Sequence, residues 1–248
     1  MRDFFILLLT TSLLAGCTSA GRNGYLQSNT DTNEIAKTNL NLGIEYMRIG
    51  NYEKALEKLN KAYDADRNYY STHNAYGLLY ERLGKPAEAE RHFKRAIALN
   101  NNDSRSKNNY GLFLCQSGRY DEAEEIFLSA ANNPLYNEPE VAITNAGTCA
   151  LRANKSDLAE NYFRRALSRN PSVGAALIQM AQITYDQNKY MNARGFLQRF
   201  LPVSRHTPTN LALGIKIEEE LGDKNAVSSY GLLLRNNFPD SMEAKENL

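Results

Sequence analysis

The sequence predicts an all-α fold, a superhelical solenoid of about six helix-turn-helix units. Three observations predict it. Gly43, Gly77 and Gly111 are 34 residues apart, and each lies in a segment of similar sequence. A ladder of alanines recurs at nearly the same interval, and glycine or asparagine recurs where one helix must end and the next begin. A hairpin of two helices repeated at this period buries its apolar face against its neighbours, which produces a solenoid.

Residues 1–16 are predicted to form a lipoprotein signal peptide. Arg2 precedes an apolar run of eleven residues, Phe4 to Leu14, whereas a helix that spans a membrane needs about 20. The ending Leu-Ala-Gly-Cys resembles a bacterial lipobox, and this resemblance implies cleavage before Cys17 and acylation of its sulfur and its new amine. An ordinary secretory signal that ends near a cysteine is the alternative. Thr18, in place of the aspartate of lipoproteins retained in the inner membrane, implies sorting to the outer membrane.

Residues 17–35 are expected to be the lipid anchor and a flexible tether. From Thr18 to about Asn33 the chain is rich in serine, glycine, asparagine and threonine and shows little periodicity. Such composition is typical of linkers.

The repeat domain is expected over residues 36–248. Small residues let the helices of each hairpin approach, and a large apolar side chain four positions after each alanine fills the remaining space. The alanines are Ala55, Ala89, Ala123, Ala159 and Ala193, and the large residues are Leu59, Phe93, Phe127, Phe163 and Leu197. The expected units are 36–69, 70–103, 104–137, 140–173, 174–207 and 208–241. The sixth unit has Val227 and Gly231 at the ladder positions, where Tyr230 is a candidate to fill the gap.

The residues between helices support this division. They are types that tolerate the left-handed conformation that ends a helix. The positions are Gly50, Gly84, Gly118, Asn154, Asn188 and Gly222.

Composition and motifs argue against an enzyme. Lysine and arginine number 29 against 28 acidic residues, so the chain lacks the positive field that nucleic-acid binding requires. The sequence has no phosphate-binding glycine loop, HExxH, GxSxG or CxxC motif. The three histidines, His73, His92 and His206, are expected to lie on different units and to hold no metal. We therefore expect no cofactor and no small-molecule substrate.

Cys115 and Cys149 are the cysteines beyond the predicted anchor, and they fall in the first helices of adjacent units. Export would place them in an oxidising compartment. The repeat alignment puts them at similar heights but roughly 200° apart in direction, which lets side chains on neighbouring helices face each other. This favours a disulfide, and two buried thiols are the alternative.

A partner-binding groove is predicted along the first helices of the units. The helix around Asn39–Ile49 is apolar on two sides, and we expect its hairpin partner to bury Leu42, Tyr46 and Ile49 while the other side faces the groove. The alternative is that the tether folds back over this end. The groove candidates are Leu40, Ile44, Met47, Asn74, Leu78, Asn108, Leu112, Thr144, Thr148, Gln182 and Tyr185.

The 34-residue hairpin period is that of tetratricopeptide repeats, and the chain as a whole resembles the PilF/PilW-type lipoproteins of type IV pilus biogenesis. The resemblance rests on the lipobox, the six units and three segments: NNYGLFLCQSGRYDEA at 108–123, PLYNEP at 134–139 and SSYGLLLRNNFPDS at 228–241. It implies a pilotin, which uses the lipoprotein-sorting machinery to carry the pilus secretin subunit to the outer membrane and supports its multimerisation. Outer-membrane adaptors that recruit cell-wall enzymes or serve outer-membrane protein assembly are the alternatives.

Overall fold

The computed structural model describes residues 23–246, and over that range it contains thirteen helices and no strand. Twelve of the helices pair into six hairpins, and a short thirteenth follows. The helices are α1 (Asn23–Arg48), α2 (Tyr52–Ala65), α3 (Tyr70–Arg82), α4 (Pro86–Leu99), α5 (Ser104–Gln116), α6 (Tyr120–Ala131), α7 (Pro139–Arg152), α8 (Ser156–Arg169), α9 (Gly174–Asp186), α10 (Tyr190–Phe200), α11 (Pro208–Leu221), α12 (Lys224–Asn237) and α13 (Met242–Glu246). The predicted signal peptide and Cys17 lie outside the described residues.

Each of the first four hairpins closes around a glycine on one helix and a large side chain on the other, as the ladder predicted. A Cβ atom on Gly77 would lie 2.6 Å from the ring of Phe93, and one on Gly111 would lie 2.7 Å from the ring of Phe127. Both rings are fully buried. In the sixth hairpin Gly214 faces Tyr230 instead, so this tyrosine does fill the gap left at the ladder position.

The turns inside the hairpins confirm the predicted helix ends. Asn154 and Asn188 both have φ of 59°, and the glycines at the equivalent turns have φ between 67° and 77°. Because these residue types adopt the left-handed conformation at low cost, each first helix stops at its predicted position and reverses direction in a short turn.

The structure corrects the prediction of a flexible tether up to residue 35. Helix α1 begins at Asn23 and runs without interruption to Arg48, so the segment 23–35 is helical. No proline interrupts this stretch, and adding residues to an existing helix costs little compared with starting one. Ala36 is fully buried, which anchors the extension to the first hairpin.

The C-terminal end of the solenoid is closed by α13, an element that the repeat pattern did not predict. Ala244 of this helix is 2% exposed and joins a small apolar cluster with Leu211, Ile215 and Leu234. This cluster covers the last hairpin, where the alanine ladder is lost, and thus replaces the packing that a seventh unit would supply.

Helices α5 and α7 are joined by a disulfide between Cys115 and Cys149, whose Cα atoms are 5.8 Å apart. Both residues are buried. Of the two alternatives that the sequence left open, the structure contains the bridge, and it links the third and fourth units across the segment 134–139.

Candidate partner-binding groove

A groove lies between α1 and α3, the first helices of the first two units, and reaches the start of α5. Its cavity volume is about 530 Å³. Five of the predicted groove residues line it, namely the polar Asn74 and the apolar Leu40, Ile44, Met47 and Leu78. The structure therefore brings the predicted N-terminal candidates to one surface.

These apolar residues contribute unequally to the exposed surface. Leu40 and Met47 are each 5% exposed and belong mainly to the core of the first hairpin. Ile44 is 42% exposed, and Leu78 is half-buried. Of the four predicted apolar residues, Ile44 and Leu78 thus leave the most surface for a partner to contact.

The structure corrects the prediction that α2 buries the other side of α1. Leu42 is 42% exposed and Ile49 is 64% exposed, while Tyr46 is half-buried. The contact between Gly43 and Leu59 turns the face of α1 that carries Gly43 towards α2. Leu42 and Ile49 lie about 100° or more around the helix from that face, so they point away from the hairpin.

Asparagines link the first helices of successive units. The side chain of Asn109 donates to Oδ1 of Asn74 at 3.1 Å, and the side chain of Asn145 donates to Oδ1 of Asn108 at 2.9 Å. Because its oxygen is occupied by this bond, Asn74 presents its amide N–H groups as the remaining donors on the groove surface.

The remaining polar candidates lie further along the solenoid. Thr144 and Thr148 donate their hydroxyl hydrogens to the carbonyls of Glu140 and Thr144 on their own helix. Gln182 is exposed and lines a separate cavity of about 360 Å³. Leu112 is 36% exposed, and Tyr185 packs near the ring of Tyr190. These residues do not share the cavity between α1 and α3.

Sequence reasoning missed the charged residues of the groove. Arg48 and Arg82 line one end and Arg105 lines the other, with Asp103 beside it. A signal was present, because Arg48 and Arg82 are separated by the repeat period of 34 residues and thus occupy the same position in successive units.

The structure also corrects the expectation that the histidines lie apart. His73 and His92 belong to the same hairpin, and their Nδ1 atoms are 3.0 Å apart. Nε2 of His73 lies 3.1 Å from the carbonyl of Arg67, so it donates there and leaves Nδ1 as an acceptor from His92. Burial, followed by the charges of His73 and Arg91, lowers the pKa of His92 to about 4. Burial lowers the pKa of His73 as well, so both imidazoles are uncharged at neutral pH.

Residues 23–246 hold neither a metal cluster nor a membrane-spanning helix. No cluster of three or more histidine, cysteine, aspartate or glutamate side chains in this range has the arrangement of a metal site. Over the same range, no helix is both long enough and apolar enough to cross a bilayer.

Comparison with known proteins identifies the repeats and two close structural relatives. One tetratricopeptide-repeat family model matches residues 34–102. A second tetratricopeptide-repeat model matches residues 75–137 and 144–208. The chain is 29% identical over 246 residues to the type IV pilus assembly protein PilF of Pseudomonas aeruginosa, covering 99% of this chain and 97% of the relative. The solved structure of P. aeruginosa PilF superposes with a TM-score of 0.77 at 30% identity, covering 87% of this chain and 97% of that one. That of PilW, a widely conserved type IV pilus biogenesis factor, has a TM-score of 0.74 at 27% identity, with 86% and 98% covered.

Proposed function

Because the chain belongs to the tetratricopeptide-repeat family, in the group of the type IV pilus proteins PilF and PilW, we propose that it is a secretin pilotin. In this proposal it is an outer-membrane lipoprotein, anchored through Cys17, whose repeat domain lies in the periplasm. It binds the type IV pilus secretin subunit and promotes its localisation and multimerisation in the outer membrane.

The observation that carries the proposal is the groove between α1 and α3. Ile44 and Leu78 leave apolar surface uncovered beside Asn74, whose amide can still donate hydrogen bonds. Such a combination suits a segment of another protein, since apolar side chains supply affinity and a few placed polar groups fix orientation. The relatives with the same fold over nearly the whole chain act in type IV pilus assembly, which makes a component of that machine the expected partner.

The mechanism is physical rather than chemical. A single acyl chain gives only marginal membrane binding, whereas the three chains of a bacterial lipoprotein anchor it stably. A subunit held in the groove of an anchored protein is confined to the membrane surface, so its effective concentration rises and multimerisation is favoured. The protein then needs no catalytic group.

The test is to locate the pilus secretin in cells that contain the wild-type gene, lack it, or carry Cys17→Ala. We expect deletion to remove secretin multimers from the outer membrane, and Cys17→Ala to leave multimers that are in the wrong membrane. Unchanged secretin in both strains would refute the proposal. In that case a function in recruiting cell-wall enzymes or in outer-membrane protein assembly would take its place.

A further inference from the structure

The charges around the groove point to a specific chemistry for the partner segment. Three arginines and one aspartate line the cavity: Arg48, Arg82, Arg105 and Asp103. The chain as a whole has a net charge of only +1, so this positive lining is a local feature. The floor between these charges carries apolar and uncharged polar side chains, so the ends and the floor of the groove favour different groups of a partner.

The groove arginines differ in how far their charge is already compensated. Arg48 pairs with Glu45 at 2.8 Å on the surface of α1. Arg82 and Arg105 are exposed and form no ion pair with any residue of the described chain. Asp103 caps α5 through Oδ2, which accepts from the backbone N–H of Ser106 at 2.9 Å and from the Ser106 hydroxyl, so the helix N-terminus already compensates part of its charge. Arg82 and Arg105 thus remain available to a carboxylate from outside.

The two available arginines bracket the apolar floor. By the repeat period Arg105 aligns with Ser71, eleven residues before Arg82 along the first helices. At 1.5 Å per residue this separation is about 17 Å, which corresponds to three turns of helix or about five residues of extended chain. Ile44 and Leu78 lie between the two ends.

The groove changes character beyond Arg105. It opens into a second cavity of about 320 Å³ that shares Tyr70, Asp103 and Arg105 with the first and includes Glu138. An acidic segment would be repelled there, so the positive part of the groove has a defined end.

We propose that the groove recognises a segment of the secretin subunit in which a short apolar stretch is flanked on both sides by carboxylates, with Arg82 and Arg105 as the residues that select it. This inference rests on the proposed function. Complementary charges around an apolar contact determine which partner binds and how fast, more than they determine raw affinity. Arg82 and Arg105 are therefore specificity residues, and Ile44 and Leu78 supply the contact surface.

The test measures the affinity of the purified secretin subunit for the full-length protein at low and at high salt. We expect Arg82→Glu combined with Arg105→Glu to weaken binding roughly tenfold at low salt, and this loss should shrink at high salt because salt screens the new repulsion between carboxylates. The double change to lysine should keep near wild-type binding. A matched control variant, Arg169→Glu with Arg235→Glu, reverses the charge of two exposed arginines outside the groove. This variant should bind the secretin subunit as the wild type does.

The outcomes separate this inference from the function on which it rests. The inference would be overturned if the wild type binds the subunit and the double change Arg82→Glu with Arg105→Glu leaves that binding unchanged. It would also be overturned if the control change Arg169→Glu with Arg235→Glu weakens binding equally. Either result would leave the pilotin proposal standing. Failure of the wild type to bind the subunit at all would refute both.

Discussion

Replacing Gly77 by alanine is expected to destabilise the second hairpin, although alanine is the better helix former. The added Cβ would lie 2.6 Å from two ring carbons of Phe93, which is closer than carbon atoms pack. Phe93 is fully buried, so its ring has no free space into which to move. Either α3 and α4 separate or the ring leaves its preferred rotamer.

The magnitude follows from two opposing terms. Overpacking a dense core costs about 1–3 kcal/mol. Replacing glycine by alanine inside a helix raises the free energy of unfolding by about 1 kcal/mol. The net loss in the free energy of unfolding is therefore about 0–2 kcal/mol.

Gly195 provides the matched control for this prediction. It lies inside α10, and a Cβ added there would meet no atom within 4 Å. Gly195→Ala should thus raise the stability by up to about 1 kcal/mol. Gly195→Ala should therefore be more stable than Gly77→Ala, by up to about 3 kcal/mol.

Urea unfolding followed by far-ultraviolet circular dichroism measures both variants, since the chain has no tryptophan for fluorescence. Shortening the ring with Phe93→Leu should make Gly77→Ala less harmful, with a coupling free energy of about 1 kcal/mol. Equal stabilisation by Gly77→Ala and Gly195→Ala would refute the view that glycine recurs in the first helices because the second helix packs closely against it.

Three further predictions concern stability. Since the folded pKa of His92 is lowered to about 4 from an unfolded value near 6.5, the unfolded chain binds the extra proton first. Stability should fall by about 2 kcal/mol as the pH drops from 7 to 4.5, and His92→Gln should flatten this dependence in denaturant titrations across that range. Reducing the Cys115–Cys149 bridge should cost about 3–4 kcal/mol, measured as the shift in urea midpoint on adding reductant; identical peptide maps with and without reduction would exclude the bridge. Arg194→Met should lower the stability because it strands Glu218, which is 2% exposed, and adding Glu218→Met should recover much of the loss in the same urea titration.

Much of the fold could be predicted because the repeat makes local and tertiary signals coincide. The spacing of Gly43, Gly77 and Gly111 reports a helix contact directly, and the turn residues report the conformation that ends each first helix. The second to sixth hairpins begin within one residue of the predicted unit starts. Each unit repeats the same physical constraints, so an error in one would have been visible in the others.

The ends of the solenoid could not be predicted in this way, because the pattern there has no neighbour to support it. Helix α1 extends to Asn23 through polar residues that carry no periodic signal, and α13 covers the last hairpin with a single buried alanine, Ala244. The assignment of the two apolar sides of α1 failed for a related reason. Both sides carry large apolar residues, and only the contact between Gly43 and Leu59 determines which side faces the core.

The candidate groove was predicted in its apolar part and missed in its charged part. Ile44 and Leu78 follow from helical periodicity, since they extend the apolar face beyond the width that one hairpin buries. Arg82 and Arg105 come from different units and meet at one cavity only through the superhelical stacking. A single repeat carries no information about which charges of its neighbour will lie across the groove.

The claim that the groove binds the secretin is tested most directly by comparing Ile44→Glu with Leu42→Glu. The two residues are on the same helix and are both 42% exposed, but Ile44 lines the groove and Leu42 points away from it. The measurement is the amount of secretin multimer in the outer membrane of cells that produce each variant at the wild-type level. We predict loss of multimers with Ile44→Glu and wild-type amounts with Leu42→Glu. Equal multimers in both, or equal loss in both, would contradict the account.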